Sequence, residues 1–277
     1  MDFWANILKF IDTKMKATPG AYGTFHLVSW GLSILLGVVI CLLFRKNKNP
    51  ERVRRTVLII SAVVLLSEII KQINYSASFP ATGGIVWDFQ WYAFPYQFCA
   101  MPMYIGVLQG IIKKGKVHNA LCAFLATYAI FAGVCVMFYP GDVFTRTFYI
   151  CVQTMLCHGT MLPVGVYLMY SGHVEVKHKT ILKAMPVFAI ALSSAMVLNE
   201  IMYASGILNG ETFNMFFVSR HFPSTLPVYS LIHNSVPFPL NVIIYFCGFS
   251  MAAYVILLIG MGIKKLCSHK KKNEQTI

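Results

Sequence analysis

Charge is scarce in this sequence. Only 12% of its 277 residues are Asp, Glu, Lys or Arg, about half of what a soluble domain carries. Acidic residues are the scarcer kind, 10 against 23 Lys and Arg. No long polar stretch interrupts the chain, which excludes a separate soluble domain. No Cys-x-x-Cys pair occurs, and no His/Cys group has the sequence spacing of a zinc site. The expectation is therefore no metal ligand and no cofactor. The first 24 residues lack the apolar core and small-residue cleavage site of a removable signal. No fixed-period repeat and no low-complexity segment is present. The net charge of +13 comes without an aromatic-interleaved basic groove, which argues against nucleic acid as a partner.

What the chain does have is apolar surface. It is 57% hydrophobic, with a mean hydropathy of +0.64. Long uncharged runs recur along its length, the signature of an all-α, multi-pass membrane protein with lipid as its solvent. Seven transmembrane helices are predicted, over 25–44, 55–75, 95–112, 119–138, 147–170, 181–204 and 238–263. Each approaches the roughly 20 residues needed to cross the hydrocarbon. Residues 1–277 read as one membrane domain: an interfacial segment at 1–24, the bundle at 25–263 and a basic tail at 264–277. Phe3, Trp4, Ile7, Leu8 and Ile11 recur at helical spacing, so the interfacial segment is expected to hold a short amphipathic helix.

Lys and Arg alternate between loops. Arg45, Lys46, Lys48, Arg52, Arg54 and Arg55 lie between the first two helices; Lys113, Lys114 and Lys116 between the third and fourth; Lys177, Lys179 and Lys183 around the fifth-to-sixth connection. The tail adds Lys264, Lys265, Lys270, Lys271 and Lys272. The other loops are nearly bare, with Arg146 and Arg220 alone. This alternation predicts a cytoplasmic C-terminus and an outer N-terminus, in the cell membrane. The three lysines near the N-terminus run mildly against it. The 205–236 loop, with Gly206, Gly210, Pro223 and Pro227, is too long for a plain connection and is expected to fold over something.

Ionisable groups within spans are costly and tend to face the bundle interior. Glu68 and Lys71 stand at i, i+3 on the second helix, with Gln72 beside them, so they can pair. Cys151, Thr154, His158, Met161 and Gly165 share one face of the fifth helix. Asn199 and Glu200 lie high on the sixth. In the segment AFPYQFCAMPMYIG, Pro95 suits the first turn of a helix and Pro102 is expected to bend it. Cys99 would then sit near a helix N-terminus, which favours a thiolate, and a nearby histidine would favour it further. A thiolate with a base is the makeup of a covalent acyl-transfer nucleophile. The residues alone leave other accounts open: Cys99 as a packing residue, Glu68 and Lys71 as a neutralised structural pair, and His158 as a helix–helix hydrogen bonder.

Three segments carry a resemblance. Phe94-Pro95-Tyr96-Gln97-Phe98-Cys99 resembles the Leu-Pro-Leu-His-Leu-Cys-type opening of the third core helix in the bacterial YwaF-like membrane family, which includes the animal transmembrane protein 164 acyltransferases. QTMLCHG, with His158, matches that family's later histidine. Asn214-Met215-Phe216 and the proline-rich run after it resemble the Asn-Tyr-Met-like segment before its last helix. The similarity covers most of the second to seventh helices. It implies a lipid acyltransferase or acyl-ester hydrolase with Cys99 as nucleophile and His158 as base. Gln97 departs from the family's histidine. Glu68, Lys71, Gln97, Thr154, Asn199 and Asn214 are the expected substrate contacts, and membrane lipids, including an acyl-lipid substrate, the expected partners; no oligomeric state follows. The alternative is a transporter or ligand-binding membrane protein using the same polar cluster without catalysis.

Overall fold

The computed structural model describes residues 3–45, 49–80, 84–233 and 235–274. Lys46 and Lys48 lie outside them, as do the side chains of Lys270, Lys271 and Lys272. The described residues form helices α1 (Phe3–Ile11), α2 (Thr24–Leu43), α3 (Pro50–Ser76), α4 (Met101–Ile111), α5 (Lys116–Leu125), α6 (Tyr128–Phe138), α7 (Phe148–Tyr170), α8 (Lys179–Ser205), α9 (Tyr229–His233) and α10 (Phe238–Glu274). A two-stranded ladder, β1 (Ala77–Ser78) with β2 (Val86–Trp87), closes the turn after α3. Among the described residues, six helices are long and apolar enough to cross a membrane, with α5 and α6 counted as one. The run Phe98–Ile111 is a seventh, shorter apolar helix. The protein is thus an all-α, multi-pass membrane protein. Exposed Leu32, Leu35, Ile59, Val63 and Leu66 on α2 and α3 form the kind of apolar outer face that lipid covers.

The last helix, α10, runs on to Glu274, past the expected end at 263, and two of the other expected helices differ more deeply. The third does not begin at Pro95. The chain there is irregular, then makes a 3-10 turn over Phe98–Ala100, and α4 begins only at Met101. Pro102 falls in the first turn of α4. There its missing N–H costs no hydrogen bond, so it starts the helix instead of bending it. The fourth expected helix is broken into α5 and α6 at Thr127, whose φ of −130° and ψ of −77° leave the helical region. Its hydroxyl donates to the Ala123 carbonyl at 2.7 Å.

Close approach of small residues sets the packing. Gly106 and Gly110, four apart on α4, face Ser61 and Leu58 of α3, and a Cβ on either glycine would collide with them. Arg54, near the start of α3, donates to the Gly110 carbonyl, so the two helices run antiparallel. Ser33 on α2 donates to the Gly159 carbonyl of α7 at 2.5 Å. An aromatic core of Phe98, Phe124, Tyr128, Phe188, Phe216 and Phe249 joins the 3-10 turn before α4 to α5, α6, α8, α10 and the 205–236 loop.

The two ends of the bundle are distinct. Arg54 with Gly110 and His118 with His173 bring the basic loops together at one end. The N-terminal segment straps the other: Lys14 Nζ donates to Asp12 at 2.6 Å and Thr147 at 2.7 Å, and Asn74 reaches Asp12 at 3.4 Å. Lys14 is therefore neutralised locally, which softens its conflict with the charge alternation.

Candidate functional site

Glu68 organises the polar interior. It is only 4% exposed, and a carboxylate at that depth needs partners. Lys71 lies 2.8 Å from Oε1, as the i, i+3 spacing predicts. Gln72 donates to the same oxygen at 2.8 Å, and Gln153 of α7 donates to Oε2 at 2.6 Å. The partner across helices is thus Gln153 on α7, and α8 contributes none. Glu200 of α8 is half exposed and pairs with His221 at 3.1 Å. A cleft of about 490 Å³ opens beside this node, lined by Leu65, Glu68, Gln72, Trp87, Pro95 and Tyr104.

Cys99 sits in the 3-10 turn that leads into α4. His158 is buried on α7, one residue after Cys157, whose thiol reaches the Cys99 carbonyl at 3.9 Å. The His158 Nδ1 contacts the Thr154 carbonyl at 2.8 Å, and a carbonyl only accepts, so Nδ1 carries the proton. Nε2 is then a bare lone pair, buried and without a hydrogen-bond partner. No hydrogen bond joins Cys99 to His158. Gln153, which holds Glu68, stands five residues before His158 on α7, so the Glu68 node and the His158 ring belong to the same stretch of that helix.

The remaining expected contacts hold a loop. Gln97 Nε2 donates to the Asn214 carbonyl at 3.0 Å, and its Oε1 accepts from Phe216 N at 2.8 Å. Asn199 accepts from Met215 N at 2.7 Å and donates to the Met215 carbonyl at 3.0 Å. Asn214 accepts from Ser219 N at 2.9 Å and donates to the Pro223 carbonyl at 3.1 Å. Phe213, Met215 and Phe216 are thereby sunk into the bundle. Phe216 and Phe217 both take φ of 58°, a strained conformation for bulky residues that only surrounding contacts sustain. The long loop does fold over something: it plugs the bundle beside Cys99, with the Phe216 ring 6.2 Å from Tyr96.

One cluster escaped the sequence. His118 and Cys122 on α5 and His173 in the α7–α8 loop bring their ligand atoms within 4.8 Å of one another. No local spacing in the sequence announces this grouping. His118 and His173 are 55 residues apart, beyond any local spacing pattern. The one available signal was His118 and Cys122 at i, i+4 on a helix. Burial, and then the neighbouring His118, hold the His173 imidazole below its ordinary range.

The family model that matches the chain is the one described as the TMEM164 family, over residues 21–261. No curated protein and no solved structure matches. The matched span contains Cys99, His158, the Glu68 node and the buried loop, and on this ground the chain belongs to the TMEM164 family.

Proposed function

We propose that the protein is a lipid acyltransferase or acyl-ester hydrolase of the cell membrane, with Cys99 as nucleophile and His158 as its base. The observation that carries this reading is the His158 ring: Nδ1 is fixed on the Thr154 carbonyl and Nε2 is buried with no partner. A base needs such a free lone pair, held in the right tautomer. The resemblance of the Cys99 and His158 segments to membrane acyltransferases supports the same assignment.

The chemistry runs in two halves. The Cys99 thiol gives its proton to His158 Nε2, and the sulfur attacks the carbonyl carbon of an acyl ester. The C–O bond breaks, the leaving oxygen takes the proton from His158, and the acyl chain remains on sulfur as a thioester. A lipid hydroxyl, or water, then loses a proton to Nε2 and attacks the thioester, which returns the thiol. Thiol and ring make no hydrogen bond at rest, and they close on one another when substrate binds. The cleft beside Glu68, with Leu65, Pro95 and Tyr104, offers an acyl chain apolar space; neither Cys99 nor His158 lines it at rest. Gln97 has taken the place of the family's histidine and anchors the Phe216 loop, so His158 serves as base by itself.

An acyl-mimicking thiol probe applied to membranes at neutral pH tests this. Cys99 is expected to react well ahead of Cys135, and His158→Ala to suppress that reaction. Equal reactivity of Cys99 and Cys135 contradicts the assignment. The transporter reading draws on Glu68 and Lys71, but these neutralise one another at 2.8 Å.

A further inference from the structure

The basic-loop end of the bundle holds a group that the acyl-transfer reading does not use. His118 Nδ1 lies 2.7 Å from the Ile112 carbonyl and 3.1 Å from the Gln109 carbonyl. Both are acceptors, so the proton is on Nδ1 and Nε2 presents a lone pair. Backbone anchoring of this kind is what fixes the tautomer of a metal-ligating histidine. That lone pair meets two groups at once: His173 Nε2 at 3.2 Å and Cys122 Sγ at 3.5 Å. One lone pair accepts well from only one of them, and the Cys122 thiol has a second, longer acceptor in Gln109 Oε1 at 4.0 Å.

The spacings fit a different occupant. Zinc bonds of about 2.0–2.1 Å to nitrogen and about 2.3 Å to sulfur, at tetrahedral angles, give edges of about 3.3–3.4 Å for N···N and about 3.6 Å for N···S. Two observed spacings, 3.2 and 3.5 Å, lie within about 0.2 Å of those edges, and the third pair, His173 Nε2 with Cys122 Sγ, lies within 4.8 Å. His118 and Cys122 are buried. Gln109 Oε1 lies 4.0 Å from the Cys122 sulfur and its amide nitrogen is tied to the Arg54 and Gly106 carbonyls, which turns the oxygen toward the cluster as a fourth ligand or a partner for bound water. The nearby positive charge of Arg54 is met by Glu51 at 2.6 Å.

We infer that His118, Cys122 and His173 form a binding site for a thiophilic divalent metal ion of the zinc class, pinning α5 to the α7–α8 loop. On binding, Cys122 releases its thiol proton to solvent and ligates as thiolate. His173 ligates through Nε2 with its proton on Nδ1. No electron moves. The site is independent of Cys99 and stands or falls separately from the acyl-transfer reading.

The test uses the full-length, tag-free chain purified in detergent and loaded with Co2+ alone or Zn2+ alone. The expected results are the intense visible bands of tetrahedral Co2+, a near-ultraviolet thiolate-to-cobalt band, and about one Zn2+ retained per chain after gel filtration. Cys122→Ser should abolish the thiolate band. His173→Ala, in a loop and not fully buried, should lower Zn2+ affinity at least about tenfold. Cys135→Ser should change neither. Absence of the thiolate band in the unaltered chain, or a band and zinc content unmoved by Cys122→Ser, overturns the assignment; the unaltered chain alone decides the first, whatever the variants' folding.

Discussion

Glu68 is the residue on which the polar interior turns. Three side chains meet its carboxylate, and Lys71 retains 19% side-chain exposure while Glu68 keeps 5%. Glu68→Ala removes the acceptor from Lys71, Gln72 and Gln153 together and leaves a cation in the bundle. The expected loss is about 3 kcal/mol, the lower end for breaking a buried pair, because Lys71 keeps some access to solvent. Replacing both residues by Ala should cost less than replacing Glu68 alone. Reversible unfolding of the single and double variants in bicelles checks this, and a double variant worse than the sum of the singles contradicts the pairing. The pair was legible in the sequence from its i, i+3 spacing. Its third partner was not: Gln153 is 85 residues away, and only the packing of α3 on α7 reveals it. Gln97, Asn199 and Asn214 were legible as polar residues in an apolar setting, but their hydrogen bonds to the 214–223 backbone belong to a loop whose path no local pattern fixes.

At the scale of elements, hydropathy found the spans because each needs an apolar run of about the bilayer's thickness. It missed where helices stop. Pro102 reads equally well as a kink or as a first-turn residue, and the prior 3-10 turn decides for the latter. The break at Thr127 carries no proline or glycine to announce it. Glycine contacts offer a test. A Cβ at Gly133 would lie 2.7 Å from the His158 carbonyl and 2.8 Å from Met161 Cβ. Gly133→Ala should therefore push α6 off α7 at His158, costing about 1–3 kcal/mol and lowering any activity that depends on that ring. Gly31→Ala, with nothing within 4 Å, is the control and should cost little. The buried loop gives a second test. Gln97→Ala frees Phe216 N and the Asn214 carbonyl, so protease cleavage in the 205–236 segment should rise several-fold over the unaltered chain. Unchanged cleavage would show that Asn199 and apolar burial hold the loop without it.

For the whole molecule, the basic loops gather at one end, and the Lys and Arg alternation leads to the expectation that this end is cytoplasmic. Single cysteines at Lys114 and Thr212, in a background lacking the native cysteines, should label from opposite sides with an impermeant thiol reagent; labelling of both from outside would reverse that view. The central claim is that acyl groups pass through the Cys99 sulfur. Its most direct measurement is trapping of the intermediate: the purified chain in nanodiscs is given a phospholipid with an isotopically labelled acyl chain, quenched in acid, digested and read by mass spectrometry. The account predicts a hydroxylamine-labile acyl mass on the Cys99 peptide, absent in Cys99→Ser and strongly reduced in His158→Ala. An acyl mass on a different cysteine, or none on Cys99 while lipid is turned over, would contradict it.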